Sequence, residues 1–353
     1  MTRRWRAQAA FGTANRAAER AVAEIVGDPG NEGDLCAVYV WNTLSFDRTD
    51  VVRVAVPPGS PLNGLQTGDV LESVSGHRTA VQRDGDALVF VAKVPGFGFT
   101  CYRPAAGRAL DGAAEIHPAS RTARGHFVLE NRNWRAEIHK DSGAFLRLTD
   151  RRTGRELAFV PLDEWIEPDS LEYKGDLHRL EVHWEEPHPM SAWKLGSVVR
   201  TECLIRCDRA EIVADGPVFR SVAFDRTFGM SRIRQEIRLY EQLDRFDIIT
   251  RAHWNEKGGG TAASPTLRAT FRMKLRDPEY TCDVPFGAIR RPADGREMPS
   301  IHWIDLSETE AGGYGVSLLN DGKYGTSALG NKFSLTLLRS FYEPDQHGDS
   351  GEH

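Results

Sequence analysis

The chain has 353 residues, of which 40% are hydrophobic and 27% are charged, and its formal net charge is −5. This composition is typical of a globular protein with room for two domains, or for one large β-domain with an appendage. It lacks the basic surface of a nucleic-acid-binding domain, and no apolar run approaches the roughly 18 residues of a membrane span. We therefore expect neither nucleic acid nor a membrane as a partner.

The five cysteines are few and odd in number, which indicates a reducing compartment rather than a disulfide framework. The N-terminus is positively charged but lacks the apolar segment of a signal peptide, so we expect a cytoplasmic protein. Cys203 and Cys207 are spaced to share one face of a strand, yet no second Cys/His pair stands near them. The sequence favours burial of these thiols over a zinc site, and no cofactor is predicted within this chain.

Residues 1–30 contain the one helix that the sequence predicts with a clear 3.6-residue period. Its apolar stripe is mostly alanine, which suits close packing against other helices, and Gly27 with the next Asp-Pro-Gly ends it. No other helix is predicted to serve as its partner, which is a first indication of a missing upstream part. The stripe comprises Phe11, Ala14, Ala18, Val22 and Ile25.

Residues 31–115 change to a two-residue period with Gly/Pro turns about every ten residues, which predicts a small antiparallel β-sandwich. Residues 105–125 have the composition of a linker. The predicted strands lie in "LCAVYVWNTLSF", "DVVRVAVPPGSP", "AVQRDG" and "ALVFVAKVPGFGFTCYRP".

Residues 116–353 predict a larger antiparallel β-domain. "NWRAEIHKDSGAFLRLTD" alternates, turns at Asp141-Ser142-Gly143 and resumes, which is the pattern of a hairpin. "RIRQEIRLYEQLDRFDIITRAHW" predicts two longer strands, each with one apolar and one charged face, and residues 333–340 add another strand. The predicted fold class is therefore all-β, with a small and then a large sandwich behind one helix.

The stretch "GGYGVSLLNDGKYG" (312–325) holds five glycines and allows three interpretations. A phosphate-binding loop would need a helix after the glycines, whereas "TSALGNKFSLTLL" predicts a strand. A β-hairpin closed by an Asn-Asp-Gly-Lys turn is favoured. The same turn could present polar side chains and a ring to a sugar. Those side chains are Asn320, Asp321, Lys323 and Tyr324.

Carboxylates and tryptophans single out no site by themselves. Glycoside hydrolysis needs two carboxylates that flank the bond, and the 50 acidic residues offer many pairs without distinguishing one. Trp134 and Trp254 fall on apolar strand faces and are predicted core residues. Trp165 and Trp193 fall in loops, where they are candidates for stacking on a sugar ring.

Six phrases occur in a set order along the chain. They are "VYVWNTLSFDRTDVVRVAVP", "LENRNWRAEIHKDSGAFLRLTDRRTGREL", "GPVFRSVAFDRTFGMSRIRQEIRLYEQLDRFDIITRAHWNE", "YTCDVPFGAIRRP", "GGYGVSLLNDGKYG" and "LTLLRS". No single phrase is decisive, but the ordered set resembles the β-region of glycoside hydrolase family 38 α-mannosidases. The resemblance covers essentially the whole chain.

The resemblance implies an enzyme with an α/β catalytic domain, a helical bundle, a small β-sandwich and a large galactose-mutarotase-like supersandwich. Residues 1–30 would be the last bundle helix, 31–115 the small sandwich and 116–353 the supersandwich, truncated at its C-terminal end. The family's zinc, aspartate nucleophile and carboxylic acid lie in the catalytic domain, for which this chain has no counterpart. We therefore expect a fragment with no catalytic or metal-binding residues.

The resemblance also implies a substrate, a partner and a site. The substrate of the intact enzyme would be a terminal α-mannoside, and the missing catalytic domain, or a neighbouring polypeptide carrying it, would be the partner. A homo-oligomer is also open. In the family the C-terminal sandwich lends polar residues to the rim of the catalytic cleft. The matching residues here are Asn320, Asp321, Lys323, Tyr324, Arg339 and Asp345.

Two other functions stay open at this point. One is a free-standing carbohydrate-binding module, which would bind mannose or mannan without cleaving it. The other is an aldose-mutarotase-like enzyme, because the family shares its large sandwich with aldose epimerases. That chemistry needs one His and one Glu that converge on a concave sheet face.

Overall fold

The structure is a computed structural model, and between residues 37 and 352 its described part is built from antiparallel strands and a 3-10 helix at Pro61–Gly64. The predicted all-β fold is confirmed. Arg20, Ala21 and Glu24 are helical, whereas the apolar stripe of the predicted helix, Trp165 and Asp345 lie outside the described residues. The structure describes residues 20, 21, 24, 37–56, 58–107, 117–158, 177–188, 190–259, 262–341 and 351–352. Nothing helical within them is long and apolar enough to cross a bilayer.

The first compact unit comprises residues 1–114 and 216–218 and contains two small sheets. Its strands are β1 Val38–Asn42, β2 Arg48–Ala55, β3 Val70–Ser73, β4 Arg78–Ala80, β5 Gln82–Asp84, β6 Ala87–Val94 and β7 Gly98–Ala105. The sheet orders are β1-β7-β3-β4 and β2-β6-β5. Leu71 and Tyr102 from one sheet meet Leu88 and Phe90 from the other in a fully buried core, so the two sheets form a small sandwich.

The second compact unit comprises residues 115–215 and 219–353 and contains three sheets. The first strands are β8 Ser120–Arg121, β9 Phe127–Glu130, β10 Trp134–Ile138, β11 Phe145–Asp150, β12 Arg155–Glu156, β13 Leu177–Glu185, β14 Val198–Cys203, β15 Arg209–Asp215, β16 Phe219–Phe228 and β17 Ser231–Tyr240. The remaining strands are β18 Phe246–Trp254, β19 Ser264–Arg272, β20 Pro278–Val284, β21 Gly287–Arg291, β22 Met298–Pro299, β23 Trp303–Glu308, β24 Gly315–Leu319, β25 Gly325–Leu329, β26 Lys332–Arg339 and β27 Gly351–Glu352.

The large sheet has eleven strands in the order β22-β25-β26-β19-β13-β11-β10-β9-β8, with β12 beside β11 and β14 beside β13. The five-stranded sheet has the order β15-β16-β17-β18-β27, and the β20–β24 sheet has the order β21-β20-β23-β24. All three sheets contribute to one core, in which Val182, Val222, Ile237, Leu267 and Leu306 are fully buried. Burial of the apolar residues that alternate along these strands is what selects this arrangement.

The two hairpins predicted in this unit are confirmed. β10 pairs with β11 around the predicted turn, and β17 pairs with β18. The charged face of β17 differs from expectation because its second half, at Glu236 and Arg238, is buried as well, whereas Arg232 at its start is exposed. Arg238 and Glu236 are each 9% exposed, and the Arg238 Nε lies 2.6 Å from Glu236 Oε1. The Arg238 guanidinium also lies 4.4 Å from the ring centroid of Phe219, so an ion pair and a ring satisfy the buried charges.

Two local predictions are wrong for the same reason. Cys203 ends β14 in the large sheet, whereas Cys207 precedes β15 in the five-stranded sheet, so the two thiols do not share a strand face. Likewise, β24 pairs with β23, and β25 pairs with β22 and β26, so residues 312–325 do not form a hairpin. In both places the chain passes from one sheet to another, which apolar alternation alone does not reveal.

Candidate carbohydrate-contacting site

The turn of residues 320–324 lies beside two other connections at one end of the β20–β24 sheet. The pairings Val284–Gly287, Cys282–Ile304 and Trp303–Leu319 place these connections at the same end of the strands. The three segments form what we call the loop cluster. It consists of residues 285–286, 300–302 and 320–324.

Hydrogen bonds fix the predicted turn against residues 300–302. The Asn320 side-chain oxygen accepts the Lys323 N–H at 2.7 Å, and the Asn320 N–H donates to the carbonyl oxygen of His302 at 2.7 Å. The Ser300 N–H donates to the Tyr324 carbonyl oxygen at 2.9 Å. Gly322 has φ +77°, a left-handed conformation that glycine adopts without steric cost. The turn is therefore a defined shape rather than a loose loop.

The Asp283 carboxylate binds the backbone at the second segment of the cluster. Its carboxylate accepts N–H groups from Ile301 at 2.8 Å, His302 at 2.9 Å and Trp303 at 3.1 Å. Burial alone would raise the pKa of Asp283, but these backbone donors bring the pKa below its ordinary value. The side chain is therefore a charged clamp on the backbone rather than a proton donor.

The outer surface of the cluster is aromatic and exposed. Phe286 is fully exposed at φ +67°, and Tyr324 is 60% exposed. Leu319 is 73% exposed next to the turn, and the His302 side chain is 72% exposed. A bulky side chain in the left-handed region costs about 1–2 kcal/mol, so the Phe286 ring is held in solvent at an energetic cost. Flat rings beside polar turn residues suit contact with a sugar.

Arg339, the fifth predicted site residue, lies elsewhere, at the end of β26 in the large sheet. Its Nε and Nη2 donate to the two Glu185 carboxylate oxygens, both at 2.7 Å. Its guanidinium also donates to the carbonyl oxygens of Lys194, at 2.9 Å, and Ser191. The structure thus brings Asn320, Asp321, Lys323 and Tyr324 together, whereas Arg339 anchors another loop.

A His–Glu contact of the kind that mutarotase chemistry requires does occur on the large sheet. His183 Nε2 lies 3.0 Å from Glu181 Oε2. Lys332 Nζ also lies 2.9 and 3.1 Å from the two Glu181 oxygens. Burial opposes ionisation, but His183 and Lys332 outweigh it and lower the pKa of Glu181 to about 2. A general base works best with a pKa near the operating pH, so this contact suits an ion-pair network.

The same trend extends to every described carboxyl group whose pKa clearly departs from its ordinary value. Each has a lowered pKa, because hydrogen-bond donors and positive charges outweigh burial. A glycosidase acid needs a raised pKa instead. In the described ranges no group of three or more His, Cys, Asp or Glu residues is placed to hold a metal ion. The groups with lowered pKa are Asp150, Glu181, Glu185, Glu186, Asp283, Asp294 and Glu308.

Sequence reasoning missed Phe286, His302 and Asp283 as members of the site. A signal for Phe286 is present in "VPFGAI", where Pro-Phe between two strand patterns predicts a two-residue tip that carries an exposed ring. His302 and Asp283 had no comparable signal, because they reach the turn through strand pairing. Trp193, the other loop candidate that is described, is 65% exposed.

The comparisons with known proteins agree on one family. The model of the glycosyl hydrolases family 38 C-terminal domain matches residues 129–347, which include the loop cluster and most of the large sheet. Alpha-mannosidase 2C1 of Mus musculus is 35% identical over 131 residues, 35% of this chain and 12% of its own length. Alpha-mannosidase G of Dictyostelium discoideum is 35% identical over 133 residues, 35% of this chain and 11% of its own length.

Two solved structures share the fold. An α-mannosidase from Enterococcus faecalis superposes with a TM-score of 0.60 and 12% identity, over 90% of this chain and 42% of its own. A family 38 glycosyl hydrolase from the same organism gives a TM-score of 0.58, 12% identity and 43% of its own length. The chain therefore spans less than half of each solved neighbour and a smaller share of the curated relatives it matches.

Proposed function

The chain belongs to glycosyl hydrolases family 38 as a C-terminal domain, and from that membership we propose that it is the β-region of an α-mannosidase. The intact enzyme would hydrolyse terminal α-mannosides with retention of configuration. Its zinc, its nucleophile and its acid would belong to a catalytic part supplied by the same or a neighbouring polypeptide. The names of the mouse and Dictyostelium relatives support the substrate class.

Within that enzyme the chain would act as scaffold and as part of the cleft rim, and it would not cleave a mannoside alone. The observation that carries this proposal is the match of residues 129–347 to the family's C-terminal domain. The buried carboxylates of Glu185 and Asp283 are engaged in an ion pair and in backbone hydrogen bonds, which suits a structural role. The loop cluster is the part best suited to the rim. Its backbone is fixed by hydrogen bonds, and its rings and polar side chains face solvent.

The activity of the purified chain tests this proposal. The chain is incubated with 4-nitrophenyl α-D-mannoside in the presence and absence of zinc, and nitrophenolate release is followed. We expect no release above that of buffer. Zinc-dependent release that a chelator abolishes would overturn the proposal.

A free-standing carbohydrate-binding module is the second candidate, favoured by the exposed rings of Phe286 and Tyr324. Titration of the chain with methyl α-D-mannoside, followed by NMR, separates the two. A saturable shift that disappears in the Tyr324→Ala variant would support the module. A chain that shows no saturable shift is in keeping with a rim that completes its site only with the catalytic part.

A cytoplasmic location is also proposed. It is supported by the free thiols of Cys101, Cys203, Cys207 and Cys282, which suit a reducing compartment. Fractionation of the native host tests it, since recovery of the chain with secreted proteins would contradict the proposal.

A further inference from the structure

The first compact unit carries an exposed aromatic surface that the proposed function does not use. Trp41 lies opposite Phe99 in the β1–β7 pair, with ring centroids 4.6 Å apart, and Tyr39 follows at 6.2 Å from Phe99. The adjacent connections, residues 43–47 and 95–97, extend the surface with further apolar side chains. We call it the aromatic platform. It comprises Tyr39, Trp41, Leu44, Phe46, Phe97 and Phe99.

Five of the six side chains are exposed, and Trp41 is half-buried. Phe97 is 76% exposed and Phe46 is 60% exposed, while Leu44 and Phe99 are each 43% exposed. Single exposed apolar residues are common on protein surfaces, but a contiguous group of aromatic rings marks an interaction surface. Apolar area of this kind gains free energy once a partner removes it from water.

The platform is preorganised by a buried amide. The Asn42 side chain donates to the carbonyl oxygens of Phe46 at 2.7 Å and Pro95 at 3.1 Å, and its own oxygen accepts the Leu44 N–H at 3.1 Å. One side chain thus joins both connections. Gly96 brings them into direct contact, because a Cβ at that position would lie 2.7 Å from the Ser45 backbone. Binding would therefore require little ordering of these loops.

Backbone strain adds a second, independent indication. Phe97 has φ +47° although it is not a glycine, and its N–H donates to the Leu44 carbonyl oxygen at 2.7 Å. The left-handed region costs a residue with a side chain about 1–2 kcal/mol. Here the cost is met in a position that directs a phenyl ring to solvent instead of the core. Strain of this kind is characteristic of positions kept for binding.

The chemistry of the platform favours a protein over a sugar. Sugar hydroxyls need hydrogen-bond donors and acceptors around the stacking ring. Four of the six platform side chains are phenylalanine or leucine and offer neither. Aromatic and apolar side chains at the centre of a preorganised patch are the usual composition of a protein–protein contact.

We propose that the aromatic platform is the surface on which the catalytic part of the α-mannosidase docks, an inference that rests on the proposed function. The chain spans 42% of the length of the E. faecalis α-mannosidase, so more than half of that polypeptide has no counterpart here. In a C-terminal domain the rest of the enzyme precedes the domain. Within the described residues β1, which carries Tyr39 and Trp41 of the platform, is the first strand of the chain.

Co-purification tests the docking surface. The tagged full chain is co-expressed with the portion of the E. faecalis α-mannosidase that has no counterpart in it, and retained protein is quantified. The Phe46→Ser/Phe97→Ser variant is expected to reduce capture by about tenfold or more. The matched control is Val199→Ser/Met230→Ser, which removes two exposed apolar side chains from the second unit and is expected to leave capture unchanged. Thermal melting of both variants checks that each remains folded.

The outcomes separate the inference from the proposed function. Capture by wild type that the Phe46→Ser/Phe97→Ser variant retains would overturn the docking surface and leave the proposed function standing. No capture by the wild-type chain would overturn the docking surface, whereas the proposed function is overturned by zinc-dependent mannoside cleavage by the purified chain. A wild-type dimer that this variant converts to a monomer would assign the platform to a second copy of the chain and overturn the inference, as would saturable mannoside binding lost in the same variant.

Discussion

Glu185 and Arg339 show how a charged side chain is used in the large sheet. The Glu185 carboxylate is 4% exposed, and Arg339 satisfies both of its oxygens. A buried ion pair adds little net stability, but removing one partner leaves an uncompensated charge. Arg339 therefore holds the segment around Ser191 and Lys194 against the sheet. Its guanidinium donates to groups of the chain itself rather than being presented to a sugar.

The Arg339→Ala variant is predicted to lower the free energy of unfolding by about 3–5 kcal/mol, because Glu185 would remain buried and unpaired. Urea denaturation measures the change. The control is Arg290→Ala, since Arg290 is 75% exposed in its ion pair with Glu279 and its loss should cost about 0–1 kcal/mol. Equal losses of unfolding free energy in the two variants would contradict this anchoring role and leave Arg339 as a candidate rim residue.

Glu181 predicts a pH dependence of stability. Its pKa is lowered from 4.5 to about 2 in the folded chain, so the stability it contributes is fully present above pH 4.5 and is lost as the pH falls towards 2. In the Glu181→Gln variant we expect a shallower decline of the unfolding free energy between these two pH values. Denaturation at stepped pH measures it, with Glu310→Gln as the exposed control. If the unfolding free energy of Glu181→Gln declined over this pH range as steeply as that of the wild type, the role given to Glu181 would be contradicted.

At the scale of the element, the β20–β21 connection places Phe286 at its tip in a conformation that suits glycine. The free energy of unfolding of the Phe286→Gly variant is predicted to be about 1 kcal/mol higher than that of Phe286→Ala. Both substitutions remove the ring, but only glycine relieves the left-handed backbone. Chemical denaturation of the two variants gives the difference directly. A more stable alanine variant would show that the backbone at this tip is not strained.

Strand positions were predictable because burial of one face imposes a two-residue period. This period located β10, β11, β17 and β18, whereas the Asn-Asp-Gly-Lys signal located the turn of residues 320–324 with its four polar residues. Which strands pair was not predictable where the chain changes sheets, as between β14 and β15 and between β24 and β25. Asp283 and His302 reach the candidate site through the pairing of β20 with β23 and of β23 with β24. No local sequence pattern predicts these pairings.

At the scale of the whole molecule, the ordered phrases identified a family that the match over residues 129–347 confirms. The all-β fold followed from periodicity, and each compact unit has its own apolar core. The burial of the ion pair Arg238–Glu236 on the second face of β17 did not follow, because it depends on what covers that face. Neither did the lowered pKa of Glu181, which depends on His183 and also on Lys332 from a strand about 150 residues away.

A mechanism-based label tests most directly whether this chain carries a mannosidase nucleophile. The purified chain is incubated with a 2-deoxy-2-fluoro-mannosyl fluoride, with and without zinc, and its intact mass is measured. Retaining glycosidases form a covalent glycosyl-enzyme ester on a carboxylate, and the fluorine slows its hydrolysis so that the adduct accumulates. We expect an unchanged mass in both conditions. A mass increase of one fluoromannosyl group on an Asp or Glu of this chain would contradict it.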